Sequence, residues 1–155
     1  MYYSFVMMKP DAVRLGLTEE VVSRLKAAGL SIAHVGCCKA TPALIRAHYA
    51  EPIEKYGENF RRNAEAYFDG QIVLPMLVCA ERADLVSYVR QIVGATDPSK
   101  AEKGTIRGDL GVDSLEASKQ ENRMCENIIH ASDSDEAVRA EAAIWFSPET
   151  CALYF

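Results

Sequence analysis

Strand-forming and helix-forming segments alternate along this chain, and that alternation limits the folds open to it. Segments rich in β-branched and aromatic residues predict strands over residues 2–8, 30–38, 71–80 and 127–130. Apolar residues at helical spacing predict helices between and after them, in the order β-α-β-(α-α)-β-α-β-α. With 155 residues and four strands, this order fits either a parallel sheet or an α+β sandwich.

Local residue signals predict where the elements begin, end or deform. Thr41, followed by proline, predicts a helix start. Asp133, with Glu136 three residues later, resembles a capping box that opens the last helix. Residues 99–111, rich in charge and glycine, predict a loop. Pro75 lies inside the third strand and removes a ladder donor, so we expect a bulge there.

Composition narrows the classes of partner and compartment. The net charge of −5 gives no global basic field for nucleic acid, so an anionic substrate would need a local cationic cluster. The five cysteines include the adjacent Cys37 and Cys38 but no Cys-x-x-Cys, which favours buried reduced thiols over disulfides or a zinc site. No apolar run approaches transmembrane length. We therefore expect a cytoplasmic protein with no membrane partner and no specific nucleic-acid partner.

His130 carries the strongest chemical signal in the chain. It follows two isoleucines at a predicted strand end and precedes Ser132, so a sheet edge would hold its imidazole rigidly. A histidine held this way can act as a nucleophile or base, although an isolated one is more often a satisfied, half-buried residue. Three further features favour the functional interpretation: Lys9 after the first strand, the run over residues 104–109, and Glu141 in the last helix.

The other two histidines have no such context. His34 lies in an apolar strand and is expected to be structural. His48, on a helix beside Tyr49, is expected to be a surface or packing residue. His130 is therefore the one histidine that we expect to do chemistry.

Taken in order, these motifs resemble the nucleoside diphosphate kinase family over nearly the whole chain. The residues that carry the resemblance are Met8-Lys9-Pro10-Asp11, His48-Tyr49, Gly104 to Asp109, Asn127 to Asp133 and Trp145-Phe146. The resemblance implies one ferredoxin-like α+β domain over residues 1–155, with a four-stranded antiparallel sheet covered by helices. It also implies ping-pong transfer of the terminal phosphoryl group from a nucleoside triphosphate to a nucleoside diphosphate, through a phosphohistidine.

The resemblance assigns a role to each residue of the site. His130 would be the nucleophile, and Glu141 would orient its ring with Ser132 beside it. Asn127 would bind the sugar hydroxyls together with the phosphate-binding lysine, and the base would stack on Phe60. The residues expected around the phosphates are Lys9, Tyr49, Arg90, Thr96 and Arg107.

The resemblance also implies the partners of the chain. Magnesium would arrive on the nucleotide phosphates, because no cluster of Asp, Glu and His has metal-ligand spacing in the sequence. The substrates would be nucleoside di- and triphosphates, and the chain would form a homo-oligomer, either a tetramer or a hexamer. A base held mainly by stacking predicts broad nucleotide tolerance.

The chain departs from the family pattern near residues 113–123. This polar segment reads as an insertion with helix-forming tendency. It leaves open which residue covers the base opposite Phe60, and Met124 is one candidate.

Two other functions compete with an active kinase. The first is a nucleotide-binding regulatory module on the same fold with weakened catalysis. The presence of His130, Lys9 and the arginines argues against it. The second is a histidine phosphocarrier or protein kinase that acts on a partner, and it ranks last because the motif set implies a nucleotide on both sides of the reaction.

Overall fold

One antiparallel sheet organises the molecule, in a computed structural model that describes residues 1–155. Its strands are β1 (Tyr2–Met8), β2 (Ser31–Val35), β3 (Cys38–Lys39), β4 (Ile72–Ala80) and β5 (Ile129–Ala131). The order across the sheet is β2-β4-β1-β5, and the two-residue β3 also pairs with β4. Every pairing is antiparallel, which confirms the ferredoxin-like α+β fold. Three of the four predicted strands are present as single strands, and the one predicted over residues 30–38 is divided into β2 and β3.

Helices cover both faces of this sheet. They are α1 (Pro10–Arg14), α2 (Thr18–Ala27), α3 (Pro42–His48), α4 (Ala50–Tyr56), α5 (Glu58–Phe68), α6 (Leu85–Val93), α7 (Ile106–Leu110), α8 (Leu115–Gln120), α9 (Asp135–Trp145) and α10 (Pro148–Cys151), with a 3-10 turn at Pro98–Lys100. No helix is both long enough and apolar enough to span a membrane.

The central strand β1 divides the core into two apolar clusters. Val6 and Met8 belong to one cluster, which includes buried residues of α2 and α6. Phe5 and Met7 belong to the other, which includes buried residues of α3, α5 and α9. Successive side chains of a strand point to opposite faces, so a strand covered on both faces is apolar throughout. Because β1 is buried on both faces, the position of its C-terminal end is fixed, and Lys9 follows directly after it.

The expected bulge at Pro75 is wrong. The register of β1 against β4 runs without interruption, with Met7 opposite Pro75. The carbonyl of Pro75 accepts the Gly36 N–H at 2.8 Å, and the nitrogen of a strand residue points to the same edge as its oxygen. That edge is where the predicted strand over residues 30–38 breaks into β2 and β3. The edge at which Pro75 lacks an N–H therefore faces the gap between β2 and β3. The register shift in the pairing with β4 lies in β2 instead.

Two predictions of local structure need correction. Ser134 caps α9, with its hydroxyl accepting the Ala137 N–H, so Asp133 is not the cap. The predicted loop over residues 99–111 contains the 3-10 turn and α7, which Thr105 caps. The helix-forming tendency within residues 113–123 is confirmed by α8.

Candidate functional site

A pocket of about 710 Å³ lies where β5, α5, α8 and the end of β1 come together. The nine residues that the sequence predicted for catalysis or nucleotide binding all line it: Lys9, Tyr49, Phe60, Arg90, Thr96, Arg107, Asn127, His130 and Glu141. Pockets for small organic ligands typically have volumes of roughly 300–1,000 Å³. The volume therefore suits a ligand of that class.

His130 lies in β5, opposite Met7 of β1. Its Nε2 lies 2.9 Å from Oε2 of Glu141, and the Ser132 hydroxyl donates to the same carboxylate oxygen. A carboxylate only accepts hydrogen bonds, so in the neutral ring Nε2 carries the proton and Nδ1 holds the lone pair. Nδ1 makes no hydrogen bond to the protein. The imidazole is thus oriented by one nitrogen and free to react at the other.

His48 packs against this ring and is buried, as expected of a packing residue. The two imidazole centroids are 4.5 Å apart, in an edge-to-face arrangement. The Trp145 indole N–H, which can only donate, lies 3.1 Å from Nδ1 of His48, so the proton of the neutral ring sits on Nε2. Burial first, and repulsion from His130 second, lower the pKa of His48 well below its ordinary value. The His48 ring is therefore neutral at pH 7.

His48, His130 and Glu141 are the one group whose ligand atoms approach a metal-site spacing, at 4.8 Å or less from one another. The chemistry of the donors does not fit a resident metal ion. Nε2 of His48 carries a proton, and Nδ1 is occupied by the Trp145 N–H. Glu141 already accepts two hydrogen bonds. The cluster therefore lacks the three available ligands of a typical protein zinc site.

Four cationic side chains line the pocket without a carboxylate partner: Lys9, Arg90, Arg107 and Lys119. They form none of the ion pairs of the molecule, whereas most of the other arginines do. Lys9 and Arg107 are also buried, with only 3% and 9% of their surface exposed. A buried charge without a counter-charge is costly. The arrangement therefore indicates a binding site for an anion.

Backbone carbonyls hold Arg107 in place without neutralising it. Its guanidinium donates to the carbonyls of Asn127, Gly94 and Ile129, at 3.1, 3.1 and 2.6 Å. Arg90 donates to the Ala131 carbonyl at 3.2 Å. A guanidinium has five N–H donors, so Arg107 keeps donors for a ligand.

Burial depresses the pKa of both buried cations. It lowers the pKa of Lys9 to about 8, and the nearby Asp11 partly opposes this effect. Burial, and then repulsion from Arg90, lowers the pKa of Arg107 to about 10. Both side chains remain largely protonated at pH 7.

The junction between β1 and β5 is strained. Ile128 has a φ of +75°, which a β-branched residue rarely adopts. Its N–H donates to Asp11 Oδ2 at 2.9 Å, and its carbonyl accepts the Lys9 N–H at 2.9 Å. Beside it, the Asn127 amide accepts Lys9 Nζ at 2.7 Å and donates to the Thr96 carbonyl at 2.9 Å. These bonds fix Lys9 and Asn127 next to the histidine.

Aromatic side chains form the outer part of the pocket. The half-buried Phe60 lies 5.9 Å from the Tyr49 ring and 5.8 Å from the Tyr56 ring, between centroids. Burial raises the pKa of Tyr49, so its phenol stays protonated and can donate. Met124, the candidate to cover a base, also lines the pocket.

Sequence reasoning missed several residues of the pocket wall. They are Pro52, Tyr56, Asn59, Asn63, Leu115, Ser118, Lys119, Asn122, Arg123, Cys125, Ala131 and Asp133. The spacing from Phe60 to Asn63 would place both on one face of a helix and could have identified Asn63. The residues from α8 gave no such signal, because nothing local in the sequence shows that α8 folds against α5.

Comparisons with known proteins agree on one family. Residues 3–151 match the model of the nucleoside diphosphate kinase family. The nucleoside diphosphate kinase of Chloroflexus aurantiacus is 39% identical over 145 residues, which cover 94% of this chain and 87% of that protein. Nucleoside diphosphate kinase 3 of Spinacia oleracea is 34% identical over 151 residues, covering 97% of this chain and 89% of that protein.

Solved structures give the same result. A transition-state mimic of the nucleoside-diphosphate kinase from Borrelia burgdorferi, with bound vanadate and ADP, matches with a TM-score of 0.87 at 29% identity. That match covers 96% of this chain and 88% of the other. An NDP kinase from Pyrobaculum aerophilum matches with a TM-score of 0.83 at 33% identity, covering 95% and 96% of the two chains.

Proposed function

The chain belongs to the nucleoside diphosphate kinase family, and we propose that His130 carries the phosphoryl group between its nucleotide substrates. The reaction of this family is ping-pong transfer of a terminal phosphoryl group from a nucleoside triphosphate to a nucleoside diphosphate, through a phosphohistidine. One observation carries the assignment of His130. Its Nδ1 is free at the wall of a pocket that also contains four unpaired cations.

Transfer takes place in two balanced steps. The lone pair on Nδ1 attacks the terminal phosphorus, the bond from phosphorus to the bridging oxygen breaks, and the nucleoside diphosphate leaves with that oxygen. A second nucleoside diphosphate then attacks the phosphohistidine, and Nδ1 regains its lone pair. Glu141 accepts the Nε2–H throughout and stabilises the positive charge that the ring gains.

Lys9, Arg90 and Arg107 hold the phosphates, with the hydroxyls of Thr96 and Tyr49 as further ligands. Phosphoryl transfer depends mainly on positioning and charge neutralisation. Two arginines and a lysine combine planar, bidentate donors with a point charge. Their positive charge can therefore stay close to the phosphoryl oxygens along the path of transfer.

Sugar and base occupy the outer half of the pocket. Asn127, already hydrogen-bonded to Lys9, binds the ribose hydroxyls together with that lysine. Phe60 stacks on the base, and Met124 covers its other side. Stacking is tolerant of base identity, so ATP and GTP would be used at similar rates.

Proteins of this family use a divalent metal ion, and the side chains here fit magnesium that is carried by the nucleotide. Oε2 of Glu141 already accepts two hydrogen bonds, whereas the exposed Asp133 lines the pocket and forms no ion pair. Asp133 would therefore hold a water of the metal ion. When bound, magnesium neutralises phosphate charge, and it commonly keeps several of its waters.

We also propose one kinase domain over residues 1–155, with residues 113–123 as an insertion, in a cytoplasmic homo-oligomer. The family match over residues 3–151 supports a single domain. The family resemblance implies a tetramer or hexamer, in which exposed apolar side chains such as Val35 and Leu153, 57% and 75% exposed, would be candidates for subunit contacts. All five cysteines are free, which supports a reducing compartment. Sedimentation that gives only 17 kDa particles would contradict the oligomer.

The decisive experiment traces one phosphoryl group. The protein is incubated with γ-labelled ATP and magnesium, and GDP is then added. We expect an acid-labile, base-stable label on the protein that moves to GTP. His130→Ala should remain unlabelled, whereas His34→Gln, outside the pocket, should label normally. Nucleotide binding without labelling of the wild-type protein would identify a regulatory module instead.

A further inference from the structure

Three asparagine side chains form a hydrogen-bonded group, the asparagine cluster, in the pocket wall beside Phe60. Oδ1 of Asn122 lies 2.9 Å from Nδ2 of Asn59 and 3.0 Å from Nδ2 of Asn63. All three residues line the pocket, and the phosphoryl-transfer mechanism does not use them. Their amides therefore need another explanation.

The cluster keeps both donors and acceptors after its internal bonds are made. If Asn122 accepts from both neighbours, its NH2 group and the oxygens of Asn59 and Asn63 remain available. If the three amides are reversed together, Asn122 keeps its oxygen and its neighbours keep their NH2 groups. A ligand in the pocket therefore meets both kinds of polar group in either arrangement.

The backbone positions Asn122 before any ligand arrives. Asn122 has a φ of +48°, the left-handed conformation that asparagine tolerates at a helix end. Its N–H donates to the Lys119 carbonyl at 3.2 Å, and the next N–H, of Arg123, donates to the Ser118 carbonyl at 2.9 Å. These two bonds close the end of α8 in front of α5.

An ion pair between Asp113 and Arg123 holds together the two ends of the segment that contains α8 and Asn122. Asp113 accepts two hydrogen bonds from the Arg123 guanidinium, at 2.6 and 2.9 Å, and one from the Glu126 N–H at 2.8 Å. The Asp113 side chain is 7% exposed, so water screens this pair less than a surface pair. The asparagine cluster thus joins two anchored elements, and little ordering is needed when a ligand binds.

We propose that the asparagine cluster hydrogen-bonds the polar edge of the nucleotide base. The inference rests on the proposed function, which places the base on Phe60. Asn63 lies three residues after Phe60 in α5, so both side chains are on the same face of that helix. The reacting end of the pocket, at His130, is held by other groups. The amides therefore lie where the edge of a stacked base would project.

This contact predicts which bases the protein prefers: those that carry polar groups at the edge of the six-membered ring. ATP and GTP both carry donors and acceptors at the base edge, so a cluster with both kinds of group accepts either. A base that stacks equally well but has no polar groups at its six-membered ring would leave the amides unpaired. One or two neutral hydrogen bonds correspond to a loss of about three- to tenfold in kcat/KM.

The test compares ATP with the triphosphate of benzimidazole riboside, whose base stacks but lacks those polar groups. The rate of labelling of His130 by each donor gives its kcat/KM. We expect the wild-type protein to favour ATP by about three- to tenfold. Asn122→Gly, which keeps the left-handed backbone, and Asn63→Ala should each reduce that ratio towards one without slowing the benzimidazole donor.

Gln120→Ala provides the matched control, because Gln120 is an exposed amide of α8 outside the pocket. It should leave the ratio unchanged. Equal use of both donors by the wild-type protein, or an equal loss for both donors in the variants, would overturn the inference. If ATP also failed to label His130, the proposed function would be overturned, and this inference with it.

Discussion

Lys9 shows how a single residue is prepared for an anionic ligand. Its ammonium group is buried, unpaired by any carboxylate, and held by the Asn127 amide and the Cys125 carbonyl. Burial lowers its pKa to about 8 from an ordinary value of 10.5. The site thus holds a cation that is destabilised in the free protein and stabilised when a phosphate arrives.

The affinity for ADP should fall as the pH rises through about 8. Lys9 of the free protein loses its proton in that range, and the neutral amine attracts phosphate less. Binding between pH 8 and 9 should therefore take up protons, which calorimetry in buffers of different ionisation enthalpy can measure. Lys9→Met should bind ADP more weakly and show no proton uptake from this residue. A full-size uptake in Lys9→Met would assign the titration to another group.

The same pKa shift has the opposite effect on folding. Below pH 8, Lys9 is protonated in both the folded and the unfolded chain, and its burial cost is fully present. Between about 8 and 10.5 the unfolded chain binds more protons, so the contribution of Lys9 to the free energy of unfolding rises with pH. Nucleotide affinity and the contribution of Lys9 to stability therefore change in opposite directions across this range.

We expect Arg107→Ala to lower kcat/KM by an amount equivalent to about 2–4 kcal/mol, because in the proposed site it removes a donor to the developing phosphoryl charge. Steady-state kinetics with ATP and GDP would measure the loss. Arg46→Ala, which breaks a surface ion pair with Glu65, is the matched control, because neither residue lines the pocket. An unchanged rate in Arg107→Ala would mean that the phosphates follow another path.

At the scale of elements, the site depends on how β5 is joined to β1. Asp11, in the first turn of α1, accepts the Ile128 N–H and also the Tyr67 hydroxyl. These contacts hold Ile128 in its left-handed conformation directly before the strand that carries His130. Strain of this kind persists only where the surroundings fix it.

Asp11→Ala should therefore reduce the free energy of unfolding by about 1–3 kcal/mol, since a buried N–H loses its acceptor. Urea denaturation would measure the change. Tyr67→Phe keeps the carboxylate and should cost less. A stability equal to that of the wild-type protein would show that Asp11 does not hold the junction.

The elements also show where sequence patterns stop being informative. The predicted order contained five helices, whereas the structure has ten. The order of the main strands was predictable, because the period of a strand is a local signal. The break between β2 and β3 was not, because it depends on Pro75 lying across the ladder on another strand. The expected bulge failed for the same reason. A proline in the sequence shows that one backbone N–H of the strand is missing. Which residue lies opposite that position is determined by the tertiary fold and cannot be read from the sequence.

The site was predictable to a similar extent. All nine residues that the motifs singled out lie around one pocket, although they come from distant parts of the chain. The asparagine cluster was not foreseen, because its contacts join residues 59 and 63 to residue 122 across two helices. Motifs identify residues shared with a family, whereas a contact between distant segments appears only in three dimensions.

Across the whole molecule, buried positive charge is found only in the pocket, at Lys9 and Arg107. The chain is acidic, with 17 Lys and Arg against 22 Asp and Glu, and six of its other arginines form ion pairs. A ligand that supplies phosphate charge should stabilise the entire fold. ADP with magnesium at 100 times its Kd should add about 2.7 kcal/mol, or roughly 5–11 °C in Tm. Adenosine at the same concentration should shift Tm far less, and equal shifts would show that phosphate binding contributes little.

Trp145 gives the molecule a spectroscopic reporter. It is the only tryptophan of the chain, and its indole N–H is bonded to His48, whose ring touches that of His130. Any group added to Nδ1 of His130 changes the electric field two rings away from the indole. The emission of the unlabelled protein should therefore follow each half-reaction in a stopped-flow instrument, without a coupled assay or a dye.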